Sequence, residues 1–191
     1  MIEFELKIPD VNIEDAKNRL QKIGAVLQKS SYVQKNIMLH LPSGREIAGG
    51  WLRVRDEGEK ITMSLKIIDG KKITDQREFC FFAESMEEAS EFLETMGARE
   101  KARSEKRRET WTLGKCEVVI DEWPFLEPII EVEGPDEKTV VEAVKSLGYD
   151  IEKCRVCAIS KLYKEKYGVS EDIVNNHTPR ILFDMKNPFL G

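Results

Sequence analysis

Five segments of this 191-residue chain carry charge at every second position, and the charges are of two kinds. Glu3, Glu5 and Lys7 alternate with Ile2, Phe4, Leu6 and Ile8. Arg53 and Arg55 alternate with Leu52 and Val54, and Ser64 and Lys66 with Met63, Leu65 and Ile67. Lys106 and Arg108 share one parity. Glu131 and Glu133 share another, opposite Ile130 and Val132, and Asp121 closes the apolar run Val118-Val119-Ile120. Residues two apart lie on one face of a strand, so each segment has an apolar face and a charged one. A half-buried sheet with a solvated outer face explains any one such strand. It explains the set less well: acids gather in the first and last segments and bases between. Paired carboxylates on one face repel unless cations compensate.

If the sheet curls with these faces inward, one interior holds acids on one side and bases on the other. Oxygen-only carboxylate clusters suit Mg²⁺ or Mn²⁺. Clustered Arg and Lys suit phosphate oxygens. Together they are equipment for moving or hydrolysing phosphoryl groups. The sequence has neither Gly-x-x-x-x-Gly-Lys nor Gly-x-Gly-x-x-Gly, so side chains must hold the phosphate.

Composition narrows the field further. Hydrophobic residues at 41% support a folded core, and the 34% of charged residues exceeds the usual quarter. A net charge of −5 argues against broad electrostatic binding to DNA or membrane. No apolar run reaches the length of a membrane span, and the N-terminus does not read as a signal peptide. A cytoplasmic location with reduced thiols is therefore expected for Cys80, Cys116, Cys154 and Cys157. Cys154-x-x-Cys157 lacks a second Cys pair or spaced His pair, so structural cysteines are favoured over a zinc or redox site.

Three amphipathic helices position these segments. One starts after the N-cap Asn12 and stops at Gly24. The second starts after Ser85, with Glu88 completing a capping box, and stops at Gly97. The third starts at Asp136 and stops at Gly148. Period-two patterns predict strands at 2–8, 26–41, 51–56, 61–68, 73–82, 102–113, 116–122 and 128–133. Asp69-Gly70 and Leu113-Gly114-Lys115 signal hairpins. Ile159 to Lys166 reads as a short strand or a helix. After Gly168 the pattern fades into an extended tail broken by Pro179 and Pro188, with Phe183, Phe189 and Leu190 to dock it. The expected division is a domain over 1–168 and a docked tail over 169–191.

Glu3-Phe4-Glu5-Leu6-Lys7 resembles the N-terminal ExExK signature of the CYTH superfamily, the triphosphate tunnel metalloenzymes. The resemblance runs to about residue 165. Leu52-Arg53-Val54-Arg55 is similar to its paired-arginine strand, Ser64-Leu65-Lys66 to its next basic strand, and Lys106-Arg107-Arg108 to its later Lys-x-Arg strand. Asp121 and Glu131-Val132-Glu133 resemble its acidic C-terminal half. The family often has a glycine soon after the lysine matched by Lys66; here Ile67-Ile68-Asp69-Gly70 intervenes.

The resemblance implies an α+β fold, an antiparallel eight-stranded closed β-barrel forming a tunnel with helices packed outside. It implies that Glu3, Glu5, Asp121, Glu131 and Glu133 hold one or two Mg²⁺ or Mn²⁺ ions. Lys7, Arg53, Arg55, Lys66, Lys106, Arg108 and the late Lys161 would bind a triphosphate. Glu5, Lys7, Arg55 and Glu133 would be catalytic, and Glu78 is a further candidate for the lumen. The expected activity is metal-dependent hydrolysis of inorganic tripolyphosphate, a nucleoside triphosphate or thiamine triphosphate.

The alternatives are a class IV adenylate cyclase, making cyclic AMP and pyrophosphate from ATP, and a non-enzymatic polyphosphate- or nucleotide-binding module. Trp51 and Trp123 offer stacking surfaces for a base, although aromatic residues beside barrel strands more often serve packing. Nucleic acid is not an expected partner, an RNA 5′-triphosphate end excepted, and a homodimer would be unsurprising.

Overall fold

The computed structural model describes residues 2–190. Eight strands form the body: β1 (Phe4–Ile8), β2 (Val26–His40), β3 (Gly50–Asp56), β4 (Ile61–Ile68), β5 (Gln76–Ala83), β6 (Arg99–Leu113), β7 (Cys116–Glu122) and β8 (Ile129–Gly134). They lie side by side in the order β1-β8-β7-β6-β2-β3-β4-β5, every neighbouring pair antiparallel. The fold is thus α+β, with the sheet curled toward a barrel.

The barrel is not laddered all round. Between its outer strands, β5 and β1, the backbone contacts among the described residues are a bridge from Ile2 to Arg77 and one hydrogen bond, Glu3 N–H to the Gln76 carbonyl at 2.9 Å. Gln76 adds a side-chain bond, its Nε2 donating to the Glu5 carbonyl at 3.0 Å. The closed circumference expected from the sequence is therefore a pinned seam. The loop between β4 and β5 contributes to this. Residues Ile73–Asp75 form a 3₁₀ turn, so the expected strand at 73–82 begins only at Gln76.

Helices α1 (Ile13–Lys22), α2 (Met86–Thr95) and α3 (Glu137–Ser146) form where the caps predict, with Asn12, Ser85 and Asp136 accepting from the N–H of Asp15, Glu88 and Thr139. Each side-chain cap supplies an acceptor to an N–H that has none within the helix. Helices α1 and α3 bury Ala16, Leu20, Val140 and Val144 against Leu6, Ile8, Val118, Ile120, Ile130 and Val132. Helix α2 puts Ala89 against Ile37, Leu39 and Val54. The apolar parity of β1, β3, β7, β8 and the second half of β2 is thus buried under the outer layer of helices, at about 1.5–3 kcal/mol per buried aliphatic side chain, whereas Phe79 and Phe81 of β5 stay exposed. The charged parity is left to face inward.

Residues 159–167 are helical: α4 (Ile159–Tyr167) ends at Gly168, whose φ of 71° is the left-handed cap that glycine adopts without a Cβ clash. Beyond it the chain is not simply extended. Ser170 caps a short helix, α5 (Glu171–Asn176). A two-residue strand, β9 (Arg180–Ile181), then pairs in parallel with Arg103 and Ser104 of β6. β6 has 15 residues, and β7 pairs only with its second half, from Arg107 onward. β9 covers part of the edge that remains. Phe189 then packs on Tyr163 and Tyr167, with ring centroids 4.8 and 5.5 Å away.

Candidate active site

A cavity of about 1240 Å³ runs through the curled sheet. Eleven basic and eight acidic side chains line it, so the interior is positive in a chain of net charge −5. Register explains why distant residues meet there. Glu5 stands opposite Glu133 and Lys7 opposite Glu131 across β1 and β8. Lys66 stands opposite Glu78 across β4 and β5, and Arg108 opposite Asp121 across β6 and β7.

The acidic side centres on Glu3, Glu5 and Glu133, each of which offers an oxygen within 4.8 Å of the other two. Glu133 is exposed as a residue, but the protein packed around its carboxyl pushes that group up to about 7, and the neighbouring Glu3 carboxylate adds to the shift. The cluster thus holds more negative charge than its surroundings neutralise. Part is met by Lys66 Nζ, 3.0 Å from Glu3 and 3.2 Å from Glu5, and part by Lys7, which bonds Glu5 and lies 3.2 Å from Glu131. A cluster of carboxylate oxygens with excess negative charge fits a hard divalent cation such as Mg²⁺ or Mn²⁺. Glu131 differs from its neighbour two residues on. Burial opposes its charge, but Lys7, Lys106 and Arg108 outweigh that and hold it well below the usual carboxylate range.

Asp121 lies apart from this cluster. It is fully buried, does not line the cavity, and both its oxygens are taken: Lys106 at 2.5 Å, Arg108 Nε at 2.7 Å and Arg108 Nη2 at 2.6 Å. Arg108 also reaches Glu131 at 2.6 Å. Asp121 therefore stands behind the basic wall as its counter-ion, whereas the sequence groups it with the metal ligands. Burial and the adjacent Arg108 bring Lys106 down to about 7 against the pull of Asp121.

The opposite wall carries Arg53 and Arg55. Arg53 pairs with Glu78 at 2.7 Å, and Arg53 and Lys66 outweigh burial to hold the Glu78 carboxyl at about 2. Arg55 is different. Its Nε donates to the neutral amide oxygen of Asn36 at 2.9 Å, and Glu57 is 3.9 Å from its Nη1. Burial and then the like charges of Arg53 and Arg108 weigh against its protonated form. A guanidinium stays charged even so, and what relieves it is an anion.

The family model for the CYTH domain matches residues 1–164. The chain belongs to the CYTH family. Among solved structures, the PH1012 protein of Pyrococcus horikoshii has a similar fold, with 23% identity over 84% of this chain and 99% of its own and a TM-score of 0.70. A Vibrio parahaemolyticus protein provisionally named an adenylate cyclase is 16% identical over 86% of this chain and 98% of its own, with a TM-score of 0.72. A Hippeastrum protein, provisionally named an adenylyl cyclase and described as having a dominant triphosphatase activity, is 15% identical over 88% and 96%, with a TM-score of 0.53. At these identities the likeness is one of fold. No curated protein sequence matches the chain.

In this CYTH domain the tunnel brings together Glu3, Glu5, Lys7, Arg53, Arg55, Lys66, Glu78, Lys106, Arg108, Glu131, Glu133 and Lys161. Trp51 and Trp123 also line it, and Lys106 Nζ sits 5.2 Å from the Trp123 ring centroid. Sequence reasoning missed the β2 contribution, Tyr32, Gln34 and Asn36, which lines the tunnel between the Arg55 and Arg108 walls. The alternation of these polar residues with Val33, Lys35 and Ile37 was a signal, masked by Lys35 on the outer parity. Glu117 was missed too; it pairs in register with Glu133. Cys154 and Cys157 line the tunnel as free thiols, and burial raises both. No described helix is long and apolar enough to cross a membrane.

Proposed function

We propose that this CYTH domain hydrolyses a triphosphate in its tunnel with the help of a divalent cation. The observation that supports this best is the division of one cavity into a three-carboxylate cluster and a wall of bases, with Arg55 held by a neutral amide. Anion binding alone does not require the carboxylates.

In this reading Glu3, Glu5 and Glu133 hold Mg²⁺ or Mn²⁺, and Glu131 borders the same site. The cation supplies Lewis acidity toward a phosphate oxygen and toward water. Lys7, Arg53, Arg55, Lys66, Lys106, Arg108 and Lys161 take the phosphate oxygens. Arg53 and Arg55 each present a planar fork that can bind two oxygens at once, while the lysines act as point charges. Asp121 keeps Lys106 and Arg108 extended toward the lumen. Glu5, Lys7 and Glu133 from β1 and β8, and Arg55 from β3, face the reacting phosphorus. Substrate neutralises the crowded guanidinium groups, and charge developing on the leaving oxygens meets a wall already organised to receive it.

The test is incubation with Mg²⁺ or Mn²⁺ and, separately, inorganic tripolyphosphate, ATP and thiamine triphosphate. Orthophosphate release is the expected result. Cyclic AMP with pyrophosphate would instead establish a cyclase. Tight binding without turnover would establish a binding module.

A further inference from the structure

We infer that the N-terminus of α4 is an additional phosphate subsite in the tunnel wall, built from Ser160 and the backbone around it. This deepens the reading above and rests on it. Ala158, Ile159, Ser160 and Lys161 all line the cavity, so the helix starts at the tunnel wall. The other four α-helices close their first turn with Asn12, Ser85, Asp136 or Ser170; α4 has Ala158 at that position and no side-chain cap. Lys161 N–H is met by the Ala158 carbonyl at 3.1 Å. The N–H groups of Ile159 and Ser160 meet no acceptor among the described residues.

An independent observation points the same way. Ser160 is 1% exposed, and its Oγ has no hydrogen-bond partner among the described residues. A buried hydroxyl without a partner loses its hydration and gains nothing in return, so Ser160 by itself is a liability to the fold. Two open N–H groups, one open hydroxyl and the positive end of a helix form a set of donors with no acceptor, which suits a phosphate oxygen. Lys161, on the next residue, has no carboxylate paired with it among the described residues. Glu171 of α5, which lines the same region, is engaged by Lys164 at 3.4 Å. A triphosphate would then be held at α4 as well as at the Arg53 and Arg55 wall, by backbone and hydroxyl as well as by cations.

The experiment measures binding of inorganic tripolyphosphate in the absence of divalent cation, by calorimetry, together with thermal unfolding of the free protein. Ser160→Ala should leave the free protein as stable or more stable, because it deletes an unpartnered hydroxyl, while weakening tripolyphosphate binding by about tenfold or more. Ser160→Asp, which puts a fixed negative charge on the same helix end, should weaken it further. If both variants bind tripolyphosphate like the wild type, α4 is not a subsite, although the tunnel remains one. If Ser160→Ala lowers the stability of the free protein, the hydroxyl has a structural partner and the inference fails. If the wild type binds tripolyphosphate neither without nor with Mn²⁺, the tunnel reading fails and takes this one with it.

Discussion

Glu5 on β1 stands directly across from Glu133 on β8, and the two carboxylates share the tunnel face of their strands. Opposed like charges disfavour pairing of the strands that carry them. Glu133 is in addition raised to about 7, first by burial and then by the nearby Glu3.

The pH dependence follows from that rise. With a folded value near 7 and an ordinary unfolded value, the folded chain holds a proton that the unfolded chain has lost at intermediate pH. Glu133 therefore favours the metal-free fold at low pH, and that contribution falls away as pH climbs from the ordinary carboxylate value to about 7. The same proton competes with a cation. Mn²⁺ affinity should strengthen with pH up to about 7 and level off above it, and Glu133→Gln should flatten the profile. Calorimetric titration across this range checks both; an affinity indifferent to pH would remove Glu133 from the metal set.

Glu5→Gln preserves volume and one hydrogen-bonding oxygen but removes the charge shared with Lys7 and Lys66. Glu131 and Glu3 remain to pair those lysines. The variant should fold and yet lose metal-dependent turnover by about a hundredfold or more. Orthophosphate release alongside circular dichroism reads out both; near-normal rates would count against the acidic cluster.

Arg55→Ala should lower kcat/KM by about 2–4 kcal/mol in total, from loss of a charge-assisted clamp. The fold should not suffer in proportion. The closest partner left behind is the Asn36 amide, not a buried carboxylate. Kinetics and urea denaturation, measured together, distinguish this from general damage.

Asp121→Asn should behave in the opposite way. Asp121 neutralises both Lys106 and Arg108 in full burial, so halving its acceptor capacity leaves buried cations uncompensated. A loss of about 3–5 kcal/mol in metal-free stability is expected. If the metal-free variant is as stable as the wild type and only Mn²⁺ binding falls, Asp121 is a ligand and not an anchor.

Much of this arrangement was legible in the strands themselves. Once Leu52, Val54, Ile130 and Val132 demand a helix layer, Arg53, Arg55, Glu131 and Glu133 have only the other face left. Period two cannot say how far round the sheet closes, because closure depends on how two remote edges meet. It therefore gave no sign that β5 starts at Gln76 and meets β1 through so few backbone contacts. Asp121 reads as one more acid in the sequence, and only register shows it facing Arg108 across β6 and β7. Residues 171–176 lacked a long apolar stripe, yet Ser170 caps them and Val174 is buried with Tyr163, Ile181 and Phe189. A helix this short is settled by what it docks on.

The seam between β1 and β5 has a consequence of its own. Beside the Gln76 hydrogen bonds that join its two margins, Lys66 of the adjacent β4 reaches over to grip Glu5 of β1 and Glu3 just before it. Those are groups that a cation and a polyanion would also claim. Cargo and clasp thus draw on a single set of atoms, so the girth of the tunnel and its contents must change together.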